Sequence, residues 1–301
     1  MLTKCIYLLQ ALLLVLLLGC QSLPPLSEQA PTGKLFHYPD GGSAIYYEIA
    51  FGDIKKDTAI FTYAATGCSS LKYQLPQYFS AIKANATLYA LNKRYVNDLS
   101  FINSCGDDFI RANIFKNRQQ DFINFVKAKS AELSFKPKNI VLIGVSEAAN
   151  VIIKAATQLP SVTHIVIIGS GGFTMRRSLQ ELKNNHLLNK IYDIDQASKM
   201  IKNESASLQR NWFGNPIHWW NDILDVDPIE DYLTISVPIL LGVGAEDANQ
   251  PLASVKYLEQ KFTEHNKHNL TVRIYSNNGH SLSPTARADL FQLLNQYLVN
   301  N

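Results

Sequence analysis

Asn139-Ile140-Val141-Leu142-Ile143-Gly144-Val145-Ser146-Glu147-Ala148 is the stretch on which the reading of this chain turns. Residues 139–143 make an apolar run of the kind that fills a buried strand, and residues 148–159 read as a helix. Between them stands a serine with small residues two positions to either side, Gly144 and Ala148. A sharp strand-to-helix turn needs such residues, because it brings backbone segments too close for large side chains. It lifts the Ser146 hydroxyl above the sheet edge and aims the positive end of the next helix at the place where an oxyanion would form. Gly-x-Ser-x-small occurs by chance in many chains. The strand before it and the helix after it are what make Ser146 a candidate nucleophile.

The rest of the chain supplies a matching framework. Residues 34–38 and 44–51 flank the turn Pro39-Asp40-Gly41-Gly42 as an antiparallel hairpin. Strands are predicted at 58–65, 86–91, 163–168, 237–243 and 270–275, and helices at 73–82, 115–133, 252–262 and 285–298. Near-continuous apolar strands alternating with helices argue for an α/β fold with a mostly parallel sheet covered on both faces. From Phe173 to about Tyr232 the pattern breaks: the stretch is more polar, holds Trp212, Trp219 and Trp220, and shows no obvious strand. It reads as a helical cap inserted at the carboxyl ends of the strands. Its tryptophans suit either an apolar acyl pocket or packing of cap to body.

At 301 residues, 47% hydrophobic, 18% charged and net charge +3, the chain suits one large α/β domain with an insertion, or two small domains. No basic stripe marks a nucleic-acid partner. No His/Cys cluster has metal-ligand spacing, so neither a metal nor a cofactor is expected.

A serine hydroxyl needs a base, and the base an orienting acid. Of the seven histidines, His280 has the best setting, between strand 270–275 and the final helix, at the same sheet edge as Ser146. His164 lies within a strand, His265 and His268 in a polar loop beside lysines, His37 in the hairpin, and His186 and His218 in the insertion. The acid is expected in the loop after strand 237–243, where Asp247 is preferred to Glu246. A plain alternative is a solvated acidic loop that caps the next helix. Lys93 and Arg94 read as an exposed pair, with receipt of a substrate carboxylate or phosphate as the sharper alternative. Glu147 suits the first turn of a helix by its charge; binding of a substrate amine is the sharper alternative there.

From residue 34 to residue 301 the chain resembles the α/β-hydrolase superfamily, as serine esterases or peptidases. The resemblance rests on Gly144-x-Ser146-x-Ala148, Gly244-x-x-Asp247 and Gly279-His280, in the order nucleophile, acid, base. It departs at Ala148, where glycine is usual, and at Thr66-Gly67-Cys68, where many relatives have His-Gly. It implies an oxyanion hole built from the Cys68 and Glu147 amides, and acyl transfer to water from an ester, thioester or amide, with activity lost in acid as His280 protonates. A non-catalytic binding protein on the same scaffold is the alternative.

Lys4, the apolar run 11–18 and Leu17-Leu18-Gly19-Cys20 resemble a bacterial lipoprotein signal peptide ending in a lipobox. That resemblance implies a signal at 1–19, lipid on Cys20, a Pro- and Ser-containing tether at 20–33, and, because Gln21 follows the cysteine, the outer membrane. Cys5 leaves with the signal, so Cys68 and Cys105 remain in an oxidising envelope. They are expected as one disulfide, two separate buried thiols being the alternative.

Overall fold

The expected opening hairpin is β1 (Lys34–His37) and β2 (Ser43–Ala50), closed by Pro39–Gly42, in a computed structural model that describes residues 30–52, 56–100, 105–184 and 193–300. Residues 1–29, and with them Cys5, Cys20 and most of the tether, lie outside the described residues.

After the hairpin come β3 (Thr58–Tyr63), α1 (Leu75–Phe79), β4 (Ala86–Leu91), α2 (Asp107–Ala112), α3 (Phe115–Glu132), β5 (Asn139–Val145), α4 (Ala148–Ala156) and β6 (His164–Ile168). The segment that follows contributes α5 (Met175–Asn184), α6 (Ile194–Asn203), the short strands β7 (Asn211–Trp212) and β8 (Asn215–Pro216), and α7 (Ile217–Ile223). The chain then returns through α8 (Ile229–Thr234), β9 (Ile239–Gly244), α9 (Leu252–Glu264), β10 (Leu270–Tyr275) and α10 (Pro284–Asn300).

The main sheet runs β1-β2-β4-β3-β5-β6-β9-β10, antiparallel at β1/β2 and β2/β4 and parallel from β4 onward. β3, β6 and β9 are buried at every position, as strands covered on both faces must be. One face packs α3, α4, α8 and α9 through residues such as Phe122, Phe125, Val151 and Val255. The other packs α1 and α10 through Leu75, Phe79, Leu290 and Phe291. His164 is 3% exposed, its Nδ1 beside Thr163 Oγ1 at 2.9 Å, and burial lowers its pKa; it is a packed strand histidine.

Between β6 and β9 the insertion has a core of its own. Trp212, Trp219 and Trp220 pack edge to face with ring centroids 4.6–4.8 Å apart, joined by Ile201, Ile217 and Ile223. The tryptophans therefore bury one another and hold the cap together. Ile229 and Tyr232, placed by the sequence within the insertion, instead pack into the core of the body. Two small elements escaped the sequence reading, α2 and the β7–β8 hairpin. The cap is seated on the body where the Asp222 carboxylate accepts the Phe115 N–H, at the amino end of α3 where the helix dipole favours an anion.

Candidate active site

Ser146 stands in the turn between β5 and α4 with φ of 54°, a left-handed conformation that costs a residue other than glycine of order 1–3 kcal/mol. The turn is held by the Ser146 N–H donating to the Ile168 carbonyl at 2.8 Å. Gly144 is required here: a Cβ at that position would lie 2.8 Å from the Ala149 Cα and 2.9 Å from an Ile152 side-chain carbon. Ala148 is 1% exposed, so a methyl group is already accommodated where glycine is usual.

The parallel sheet brings the other two residues to the same edge. β9 ends at Gly244 and leads to Asp247, while the parallel neighbour β10 ends at Tyr275 and leads to His280. The two loops touch because residue 244 lacks a side chain; a Cβ there would fall 2.1 Å from the Asn278 carbonyl oxygen. His280 Nε2 lies 2.7 Å from Ser146 Oγ, and His280 Nδ1 lies 2.8 Å from Asp247 Oδ2. Asp247 Oδ1 accepts the N–H groups of Asn249 and Gln250 at 2.8 and 2.9 Å, and the carboxylate is fully buried. Glu246, one residue away, is exposed. Sequence and structure thus agree on Ser146, Asp247 and His280 as neighbours. None of the other described histidines joins them: His37, His265 and His268 are exposed, His164 is buried in β6, and His218 is half-buried in α7; His186 lies outside the described residues.

Thr66-Gly67-Cys68 follows β3, beside β5 in the sheet. This loop is tied down twice. Cys68 and Cys105 form a disulfide with Cα atoms 5.5 Å apart. Ser70 Oγ lies 2.7 Å from Tyr47 OH, and the fully buried Asn92 accepts the Leu71 N–H at 3.0 Å. The disulfide closes a 37-residue separation, which on a chain-entropy estimate is worth about 4 kcal/mol. Reduction should therefore lower the unfolding free energy by about that amount, read from urea melts with and without a phosphine reductant. Identical melts would show that the crosslink adds nothing.

Two sequence expectations are corrected here. Lys93 is 2% exposed and belongs to no surface pair; its Nζ lies 3.6 Å from Glu147. Arg94 is held by Asp121, whose Oδ2 takes Arg94 Nε at 2.7 Å and whose Oδ1 takes Nη2 at 2.6 Å, and by Asp40 at 2.8 Å. Glu147 stands at the amino end of α4, where its charge suits the helix dipole, but its carboxylate is buried and ion-paired with Arg118 of α3, against the substrate-amine alternative. A carboxylate so occupied is not available to a ligand. Burial, with Arg118 adding to it, pulls the Lys93 ammonium well below its ordinary pKa, and burial lowers Arg118 to about 10, so the guanidinium is charged at neutral pH. Arg118 went unnoticed in the sequence, although it sits one turn from Phe115 and Phe122 on the apolar stripe of its helix.

The sheet order, the strained serine turn and the placement of Asp247 and His280 at the carboxyl ends of adjacent strands define an α/β-hydrolase. Comparison with solved structures agrees. Est1E from Butyrivibrio proteoclasticus superposes with a TM-score of 0.64 at 11% identity, over 89% of this chain and 99% of that one. A Pyrococcus furiosus esterase gives 0.61 at 14%, over 90% of each chain. An acylaminoacyl peptidase of Pyrococcus horikoshii gives 0.56 at 13%, over 91% of this chain and 42% of that one. Among curated proteins none matches the sequence. The chain belongs to the family described as BAAT / acyl-CoA thioester hydrolase C terminal, which matches residues 120–300 and so spans Ser146, Asp247 and His280. It is a family of hydrolase type.

Proposed function

We propose that this protein hydrolyses a carboxylic ester, thioester or amide through an acyl-enzyme on Ser146. The observation that carries the reading is the unbroken relay from Asp247 through His280 to Ser146, with both contacts at 2.7–2.8 Å. His280 accepts the hydroxyl proton as Ser146 attacks the carbonyl carbon. The Asp247 carboxylate stabilises the imidazolium and keeps Nδ1 protonated. Negative charge on the former carbonyl oxygen is taken by the amides of Cys68 and Glu147. A donor of this kind typically contributes on the order of 3 kcal/mol, so the double tether of the Cys68 loop supports the assignment. His280 then gives its proton to the leaving group, and water releases the acyl group by the same route. No metal or cofactor enters these steps.

A fluorophosphonate probe, which is attacked only by an activated serine, should label the wild-type chain stoichiometrically. Labelling should vanish in Ser146→Ala with melting temperature retained. A folded wild-type chain that resists the probe would favour the non-catalytic binding protein instead.

The proposed setting is the bacterial envelope, with Cys20 carrying lipid and the enzyme held at the outer membrane facing the periplasm. Support comes from Leu17-Leu18-Gly19-Cys20 and Gln21. Expression in a bacterial host with an alkyne fatty acid should tag the protein, and the tag should be lost in Cys20→Ala. A tag that persists in Cys20→Ala would place the lipid elsewhere, and a wild-type chain that takes no tag would deny the anchor.

A further inference from the structure

Beside the Thr66–Gly67 segment lies a cleft of about 500 Å³, within the range of small-molecule pockets. One end is formed by Thr66 and Gly67, directly before Cys68. Phe109 and Ile110 of α2 and Phe213 and Trp219 of the cap give it its apolar lining. Its polar lining consists of neutral amides such as Asn113 and Asn215, and none of the described residues lining it is charged.

The sheet order says which part of a substrate would enter. Ser146 follows β5. The Thr66–Cys68 loop follows β3 on one side of it, whereas Asp247 and His280 follow β9 and β10 on the other. His280 must protonate the leaving group, so the leaving group faces the β9–β10 side. The acyl substituent of a carbonyl held at the Cys68 amide then faces away from the β9–β10 side, and the cleft that begins at Gly67 is the space available to it on the β3 side.

Phe213 is the conspicuous residue of that cleft. With Gly214 it makes the two-residue turn between β7 and β8, where Asn211 pairs with Pro216 and Trp212 with Asn215. Both turn residues have positive φ, 45° for Phe213 and 75° for Gly214. A tight hairpin turn of this kind favours Asn or Gly at its first position, and a large aromatic ring there is strained. The same residue is 40% exposed although its ring packs edge to face with Trp212 and Trp220 at centroid distances of 4.8 and 6.5 Å. Strain and exposed apolar area thus coincide at one residue lining the cleft.

We propose that this cleft binds the acyl group of the substrate, that the group is uncharged, apolar and larger than acetyl, and that Phe213 is the residue that selects it. The inference rests on the hydrolase reading of Ser146, and its test separates the two. Wild type and Phe213→Asn would be compared on the p-nitrophenyl esters of acetate, octanoate, benzoate and hemiglutarate. Wild type should favour octanoate or benzoate over acetate and hemiglutarate in kcat/KM. Phe213→Asn should reduce the octanoate-to-acetate ratio by about tenfold or more, chiefly through KM, as expected for lost apolar contact in a specificity pocket. Its melting temperature should hold or rise, because Asn accepts the turn conformation. A lower melting temperature with an unchanged ratio would make Phe213 a packing residue and overturn the proposal, as would a preference for hemiglutarate. If wild type cleaves none of the esters, the hydrolase reading is decided by the fluorophosphonate probe, and the cleft is judged by binding alone. Octanoic acid anilide would then be titrated against Trp fluorescence in wild type and Phe213→Asn. About tenfold weaker binding in the variant keeps the cleft assignment, and equal or undetectable binding in both ends it.

Discussion

Asp247→Asn should fold normally and lose about 10⁴-fold in kcat, equivalent to roughly 5 kcal/mol of transition-state stabilisation. The two carboxylate oxygens have different duties. Oδ1 receives the Asn249 and Gln250 N–H groups and lies 3.0 Å from His280 Nδ1, whereas Oδ2 has Nδ1 alone, closer at 2.8 Å. In the asparagine variant the carbonyl oxygen must stay with the two N–H donors, which cannot be left facing an amide NH₂. The NH₂ group is therefore presented to His280, and Nδ1 becomes an acceptor. The ring proton then moves to Nε2 and points at Ser146, where a base is needed. Packing is unchanged, so melting temperature should move little while turnover collapses. Kinetics on a p-nitrophenyl ester beside a thermal melt checks this; activity within tenfold of wild type would remove Asp247 from the mechanism. Glu246→Gln is the matched control, since Glu246 is exposed one residue away.

Arg118→Leu should cost about 3–5 kcal/mol of stability, because it leaves the Glu147 carboxylate buried and without its principal partner. Lys93 cannot replace Arg118 fully: it stands 3.6 Å away, and burial disfavours its charged form. Recovery of most of the loss in Arg118→Leu/Glu147→Leu would identify the stranded carboxylate, rather than missing packing, as the cause. The variant should also be catalytically impaired where it still folds, since Glu147 supplies a backbone amide to the proposed oxyanion hole and its side chain is anchored through Arg118. Urea melts of the single and double variants give the comparison. A single variant within 1 kcal/mol of wild type, the scale of an ordinary substitution, would mean that the pair does not act as described.

The relay was legible in the sequence because each member sits at a strand end marked by punctuation: Gly144 before Ser146, Gly244 before Asp247, Gly279 before His280. Parallel strands deliver their carboxyl ends to one edge, so the convergence follows from topology rather than from sequence proximity. The buried ions were not legible by the same reasoning. Lys93 and Arg94 are adjacent and alike in charge, yet the chain turns one into the core beside Glu147 and the other toward Asp40 and Asp121. Nothing local distinguishes them; their partners come from α3, the serine turn and the first hairpin. Arg118 did carry a signal, a cation on the apolar face of an 18-residue helix, because a charge there must meet a buried counter-charge. The cap was recognised only by the loss of pattern. Its two-residue strands are too short for alternation to register, and its tryptophans proved to be a private core.

The Cys68–Cys105 crosslink joins the loop of the proposed oxyanion donor to a residue lining the cleft. How the recombinant protein is manufactured therefore bears on how it performs. Within the folded domain, material harvested from a reducing cytosol would differ from oxidised material only by a pair of hydrogens on sulfur, and its helices would look the same by circular dichroism. Its catalytic quality would nevertheless be that of a slackened loop, so free-thiol content becomes a release criterion for any batch entering an assay.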